Sequence, residues 1–560
     1  MFYTKVCFGI VLAALQIMLL HFTSQGQVVD WIDHIGGSNW NSATCVTSDG
    51  ESVYVGGTTK DTTVFLSQPS IPFFTTSSGT FSGFVAKYTS QGSLIWYKIF
   101  GGNNYNQVSS IAVDSLGFLS VSGNFEGTVD FDSSPSISAR TSKGGKDAFL
   151  CRMDANGNFQ WVWAYGGNGF DDITSICTDE WGSTYVVGNF QDTVDFDSGP
   201  DENILGVPYA SNFVAAKLDQ NGNLVWVFSP GSGGGSDIIL TPTGNLLLAG
   251  IFCDSADFEP GPGVQQLFSY GWPNGCQTFL AEYDLMGQLN WVEEFGIVNF
   301  HTAPKLAVSP DGHIYATARS NDTEFSSGDY DAYVIKFNQS GSAIWEKWID
   351  GDAVSFGQSI AATNDRIFLS VTSVLTADFD PGPGVLNLTS ASNGGFNPFI
   401  CEWTTNGTLV QVHQFETSIE SYATVIHLDN HGNLYIAGTF IGTINLGMNG
   451  LSQNFETTGS LDGYALKINT NTSIGIQSNG QENGWQVSPN PTSGEVVLRS
   501  NIKDDEIVVN IFNYQGQLIS SETHFETSSL SLIIEGEPGV YLIDLISTSG
   551  FRKSTKVLKQ

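Results

Sequence analysis

The sequence predicts an all-β protein: a seven-bladed β-propeller followed by a small β-sandwich. Three observations carry that prediction. Glycine supplies 63 of the 560 residues and aromatics 12%, while charged residues make up only 14%, against about 25% in ordinary soluble domains. Such a mix favours short strands and tight turns over helices. Tryptophan recurs at a fixed interval, with Trp31, Trp96, Trp161, Trp226 and Trp291 each 65 residues apart. Beyond residue 470 the period stops, and short alternating runs of another kind follow.

The first 26 residues read as a secretory signal. Lys5 precedes the apolar run from Val6 to Leu20, and a polar exit follows at His21–Gln27. The run is short for a membrane-spanning helix, which needs about 20 residues, and fits an export signal. No later segment is apolar and long enough to span a bilayer.

Residues 27–470 hold the repeat. Trp345 follows Trp291 after a shortened copy, and Gln411 takes the equivalent place in the next. A glycine precedes each by four: Gly92, Gly157, Gly222, Gly287, Gly341 and Gly407. Five residues before each glycine lies a mostly charged column: Lys87, Arg152, Lys217, Glu282, Lys336 and Glu402, with Lys467 in the last copy. Within 171–229 the pattern gives four strands, the last two joined by the turn Asp219-Gln220-Asn221-Gly222. Four strands per repeat describe a propeller blade. A solenoid rung of about 20–30 residues is too short for this period. The chain starts with a lone Trp-bearing strand, Val28–Ile35, and its last copy lacks one. Pairing the two would complete a seventh blade and remove an open edge.

Charge excludes one class of partner. Residues 27–474 carry 14 basic and 46 acidic side chains, a net of 14 − 46 = −32. Such a surface repels nucleic acid and anionic lipid. A glycan or protein ligand remains open.

Catalytic signatures are missing. HExxH, GxSxG and phosphate-binding glycine loops do not occur. Only Arg140, Arg152, Arg319 and Arg366 lie between 27 and 474, too few for the arginine cluster of a sialidase. His427 and His431 stand four apart across a strand and its turn, a poor metal spacing outside a helix. Four copies carry Asp-Phe-Asp/Glu after the second strand: Asp130 and Asp132, Asp195 and Asp197, Asp257 and Glu259, Asp378 and Asp380. On a strand each carboxylate pair shares a face while the Phe points the other way. Two such oxygens beside turn carbonyls suit Ca²⁺, and they equally suit turn capping. Cys253 and Cys276 flank one excursion, and export would permit a disulfide. Cys45, Cys151, Cys177 and Cys401 lie in expected strands and read as core residues. The Trp column reads as blade packing. Trp40, Trp163, Trp181 and Trp272 break the repeat and are the better glycan platforms.

The repeat, best matched at Arg152–Gly157–Trp161–Gly166–Gly167 and Lys217–Gly222–Trp226, resembles the seven-bladed β-propeller repeat family of bacterial exported proteins. Its Gly–Trp–Gly spacing also resembles the tryptophan docking motif of quinoprotein dehydrogenases, where the Trp packs between blades. The first resemblance implies a binding scaffold and no particular reaction.

The linker 471–484 is polar and leads into 485–560. Strands are expected there at Glu495–Arg499, Glu506–Asn513, Gln517–Ser521, Leu530–Ile534, Val540–Ile546 and Ser554–Leu558. The motifs Ser488-Pro489-Asn490-Pro491, Asn513-Tyr514-Gln515-Gly516, Gly539-Val540-Tyr541-Leu542 and the ending Lys556–Gln560 closely resemble the type A C-terminal sorting domain of the type IX secretion system. That resemblance implies passage to the outer surface through the secretion machinery, and usually removal of this domain. The expected function is a secreted or cell-surface binding or adhesion module. The alternative is a glycan-active or redox enzyme on the same scaffold.

Overall fold

The computed structural model describes residues 28–470 and 486–559, except 66–73, 76–78, 103, 133, 198–201, 207–209, 270–274, 296–303, 321–329, 352–353, 383, 392–393, 449–452, 489–494, 514–517, 535–538 and 548–551. The expected signal and linker and Trp272 fall outside the described residues. Contacts divide the chain into two units, 1–472 and 473–560.

In the first unit, each copy is built on two hairpins whose turns the sequence specifies. Asp114 ends an inner strand, and its carboxylate accepts the amides of Leu116 and Phe118. Asp154 does the same for Asn156 and Asn158 in the second hairpin. Side-chain capping of this kind satisfies amides that the strand ladder cannot reach.

Seven sets of four antiparallel strands, called sheets below, result among the described residues; three stand alone, and the others are joined to a neighbouring set or to short excursion strands. The first consists of Asn41–Ser48, Ser52–Lys60, Phe81–Thr89 and Leu94–Phe100, in that spatial order. The second runs from Asn106–Val113 to Phe159–Tyr165, and the third from Asp172–Thr178 to Leu224–Phe228. The fourth runs from Gly231–Leu240 to Leu289–Phe295, the fifth from Lys305–Val308 to Ala343–Gly351, and the sixth from Ser355–Ala362 to Leu409–Gln414. The seventh contains Glu420–Leu428, Asn433–Ile441 and Asp462–Asn469, and its fourth strand is Val28–Gly37. That N-terminal strand lies antiparallel to Asp462–Asn469, with His34 opposite Tyr464 and Ile32 opposite Leu466. The expected clasp is present.

Packing joins each sheet to the next. Every apolar cluster of the first unit draws on two neighbours: Tyr54 and Val85 of the first sheet pack with Phe125 and Phe149 of the second. The same holds along the chain. One further cluster joins Ile35, Tyr435 and Ala465 of the seventh sheet to Val53, Val55 and Phe84 of the first.

Inner strands are latched by hydroxyls. Six of the seven bulge at one equivalent position, among them Thr44, Thr174 and Ser236. Thr44 Oγ1 donates to Val108 O at 2.7 Å, Thr174 Oγ1 to Gly235 O at 2.9 Å and Ser236 Oγ to Pro304 O at 2.9 Å. Each bond crosses to the following sheet. A bulge turns the extra side chain out of the ladder, which frees it for this reach.

The second unit is one five-stranded antiparallel sheet. The expected pairs of short strands are corrected here: Glu495–Asn513 and Leu518–Ile533 are each continuous. Their register shifts between Arg499 and Asp504, so the hairpin continues through a charged stretch that the pattern reads as a break. Both halves feed one core, in which Val496 and Leu498 meet Ile507, Ile511, Leu532 and Ile543. No helix among the described residues is long and apolar enough to cross a membrane.

Candidate functional site at the loop end of the sheets

The hairpin turns occupy one end of the sheets of the first unit; the excursions and the connections between sheets occupy the other. At the turn end the repeated residues are consumed by packing. Trp31 Nε1 donates to Ser90 O at 3.2 Å, Trp96 to Ala155 O at 3.3 Å, Trp161 to Gln220 O at 3.0 Å, Trp226 to Leu285 O at 3.3 Å and Trp345 to Thr405 O at 3.3 Å. Each acceptor lies in the turn of the next sheet. Gly92 shows why glycine precedes the Trp: its φ is +84°, and a Cβ there would lie 2.5 Å from Trp31 Cγ. The cation column serves the same joint. Lys87, Lys217 and Lys336 donate to Ala155, Leu285 and Thr405 carbonyls, whereas Arg152 pairs with buried Asp114. These columns are therefore a joint.

The Asp-Phe-Asp/Glu motifs also sit at sheet joints. Asp378 Oδ1 accepts the amides of Asp380 at 3.0 Å and Leu386 at 2.8 Å, and Asp380 accepts that of Gly382. Asp130, Asp195 and Asp257 each accept the amides two and eight residues on. Asp132 and Glu259 cap Ser134 and Gly261; Asp197 is the remaining member of the set. In the seventh sheet Asn445 makes the same two bonds, to Gly447 and Gln453. A neutral amide does this work equally well. The Phe between the acids is a buried wedge: Phe131 lies 5.9 Å from Phe100 of the preceding sheet and 4.8 Å from Phe149. Among the described residues no three His, Cys, Asp or Glu side chains gather as a metal site.

Cys253 and Cys276 stand directly opposite in the ladder and are joined as a disulfide, with Cα atoms 4.1 Å apart. Burial pushes the Cys45 thiol up to about 12 and those of Cys151 and Cys401 higher. None is poised as a nucleophile. Cys177 is half-buried and packs against the apolar cluster of the third and fourth sheets. His34 pairs with buried Asp462 at 2.8 Å, and His313 with exposed Asp311 at 3.0 Å. His413 contacts Gly447 O at 3.1 Å, and burial holds it down at about 4. His427 packs on Tyr435, and His431 abuts Gly50 of the first sheet.

A group of aromatics and cations gathers at the loop end. Trp40 is 41% exposed and meets Phe81 edge-on at 6.3 Å; Phe81 lies 5.1 Å from Tyr105. Lys60 sits over Phe81, and Lys146 Nζ lies 3.5 Å from the Tyr105 ring centroid. Tyr105 donates its hydroxyl to Gln107, which faces Asn124 across the ladder. Desolvation lowers the Lys146 pKa against the opposing charges of Glu126 and Asp172. A second group spans sheets five to seven: the Arg319 guanidinium lies 4.8 Å from Tyr330 and 4.7 Å from Phe356, and Phe356, Phe396 and Tyr422 follow at 5.6 and 5.5 Å. Of the cations that stack on rings, those outside the column, Lys60, Lys146 and Arg319, are all at this end.

Among the off-repeat tryptophans, Trp40 is exposed here and Trp181, 61% exposed, lies at the turn end. Trp163 is corrected as a platform: it is 3% exposed and donates to Phe196 O at 3.1 Å. It stands two residues after Trp161, and the excursion carrying Phe196 covers it. Phe81, Tyr105, Asn124 and Lys146 are missed by a reading that follows tryptophan alone. A signal was there: Trp40, Tyr105 and Phe170 are aromatics one period apart, as Asn124 and Asn189 are amides one period apart.

The chain is thus an all-β repeat protein with a separate C-terminal secretion signal domain. Residues 486–560 match the secretion system C-terminal sorting domain family, and this match supports export by the type IX system. A WD repeat-containing protein of Acanthamoeba polyphaga mimivirus is 22% identical over 502 residues, covering 73% of this chain and 36% of the relative. The chain accordingly spans about a third of that relative's length. Among solved structures, a phage phi92 endosialidase aligns over 95% of this chain and 88% of its own, at 8% identity and TM-score 0.34. The extracellular domain of a hybrid two-component system from B. thetaiotaomicron aligns over 94% and 99%, at 8% identity and TM-score 0.15.

Proposed function

We propose that the seven sheets are the blades of one closed propeller, and that this propeller is an extracellular binding or adhesion module carried out of the cell as type IX cargo. The cyclic packing supports closure, because the cluster around Ile35 and Tyr435 joins the last sheet to the first. The sorting match at 486–560 supports export. A binding role rests on one observation: exposed aromatics and ring-stacked cations collect at the loop end, while the Gly, Trp and cation columns at the turn end are used in joints. Blade-specific residues carry specificity when a scaffold repeats. The motif carboxylates act as turn caps in this reading, and Cys253–Cys276 pins one excursion.

Two assays test it. Removing 485–560 abolishes appearance of the protein outside the cell; normal external levels of the truncated chain would remove the export half. Labelled full-length protein binds intact cells or their extracellular polymers saturably; absence of any saturable binding would remove the module half.

A further inference from the structure

We infer that the Trp40–Phe81–Tyr105–Lys146 track is a subsite for a neutral glycan, a deeper claim that rests on the binding-module reading above. Three rings follow one another at 6.3 and 5.1 Å centroid spacing across the first two sheets, and the outermost is 41% exposed. The exposed Trp40 ring offers stacking surface to the C–H face of a sugar, while Lys60 and Lys146 cover one face each of Phe81 and Tyr105. Beyond Tyr105 the track turns polar. Lys146 supplies donors, Gln107 an amide, and Tyr105 a hydroxyl.

Asn124 adds an independent observation. It is 8% exposed, and its Oδ1 has no hydrogen-bond partner among the described residues. The equivalent residue one sheet on, Asn189, is fully engaged: Nδ2 donates to Asp172 at 3.0 Å and Oδ1 accepts Gly235 N at 2.9 Å. A buried amide oxygen left without a donor costs about 1–3 kcal/mol. Asn124 faces Gln107 across the ladder, beside the Tyr105 hydroxyl. A sugar hydroxyl reaching this point would supply the missing donor.

Charge selects among glycans. Of the two cations on the track, Lys60 and Lys146, Lys146 is opposed by Glu126 and Asp172, and residues 27–474 carry 14 − 46 = −32. A polymer bearing carboxylates or sulfates meets net repulsion there, whereas neutral hydroxyls find paired donors and acceptors.

The test uses the secreted full-length protein on immobilised neutral gluco-, manno- and xylo-oligosaccharides, with polygalacturonate and a sulfated glycan as charged arms. Binding to at least one neutral glycan is expected. Trp40→Ala and Tyr105→Ala should each weaken it about ten-fold, and Trp181→Ala, at the opposite end, should leave it unchanged. Lys146→Met reads the same contact if Tyr105→Ala melts early. The inference is overturned if no neutral glycan binds, if only charged glycans bind, or if the track variants bind like the parent. Saturable binding of the same protein to intact cells separates the two claims. If that binding survives in the track variants, the module reading stands and this subsite falls; if it is absent, both fall.

Discussion

Deleting residues 28–37 should unfold the first unit or drive it to associate. The strand supplies the fourth strand of the seventh sheet and faces seven residues of 463–469. Ile35 is fully buried, and exposing it forfeits about 1.5–3 kcal/mol. Asp462, also fully buried, loses His34 at 2.8 Å but keeps the Thr458 amide and hydroxyl, so the loss is that of one hydrogen bond, about 0.5–1.5 kcal/mol. Trp31, stacked at 5.8 Å on Tyr88 of the first sheet, adds about 0.5–1.5 kcal/mol beyond its area. The sum, about 2.5–6 kcal/mol, is a large part of the whole stability of many domains, about 5–15 kcal/mol. The freed edge of Asp462–Asn469 would then pair with other chains. Thermal unfolding by circular dichroism and size-exclusion chromatography read both effects. A peptide of sequence 28–37 added in excess should restore part of the midpoint. A deleted chain that stays monomeric and melts like the parent would refute the reasoning.

Other outcomes follow from single sites. Burial pushes Asp147 and Asp171 up to about 6, and both are nearly inaccessible. A carboxyl held above its unfolded value favours the fold when protonated, so its contribution grows as pH falls from 7 towards 5. The unfolding midpoint of Asp147→Asn/Asp171→Asn should therefore vary less with pH than the parent's in that window; an identical profile would count against the burial account. Intact mass should show Cys253 and Cys276 oxidised, and Cys253→Ser/Cys276→Ser should lose about 2–4 kcal/mol; a free-thiol titre that includes both would oppose this. Asp378→Asn should melt within about 0.5 kcal/mol of the parent, as Asn445 already serves that position, whereas Asp378→Ala loses about 1 kcal/mol. Millimolar calcium should produce no calorimetric heat and no shift in melting; saturable heat would restore the cation reading of those carboxylates.

Much of this scaffold could be read from the chain because its joints repeat. Trp96, Gly157 and Lys87 meet at one joint, and across the seven copies a Trp recurs in six and a cation in five, Gln411, Glu282 and Glu402 being the exceptions, so spacing alone exposes them. The bulged hydroxyls were equally readable, since Thr44, Ser109 and Thr174 keep the 65-residue period. What could not be read depends on partners distant in sequence. The Phe of each Asp-Phe-Asp motif wedges against the preceding sheet, so the motif's own spacing does not distinguish a wedge from a cation loop. Trp163 and Trp40 look alike as interruptions of the repeat; only the excursion over Phe196 buries one and leaves the other open. In the second unit the charged run Lys503–Glu506 interrupts the apolar pattern without interrupting the strand, because a register shift absorbs it.

Closure of the ring is the claim on which the rest depends. Electron-microscopy projection averages of the purified protein, viewed down the axis of the first unit, measure it directly. Seven evenly spaced lobes around a closed ring are predicted. Six or eight lobes, or an open arc with a gap between the sheet of Asp462–Asn469 and that of Asn41–Ser48, would contradict it.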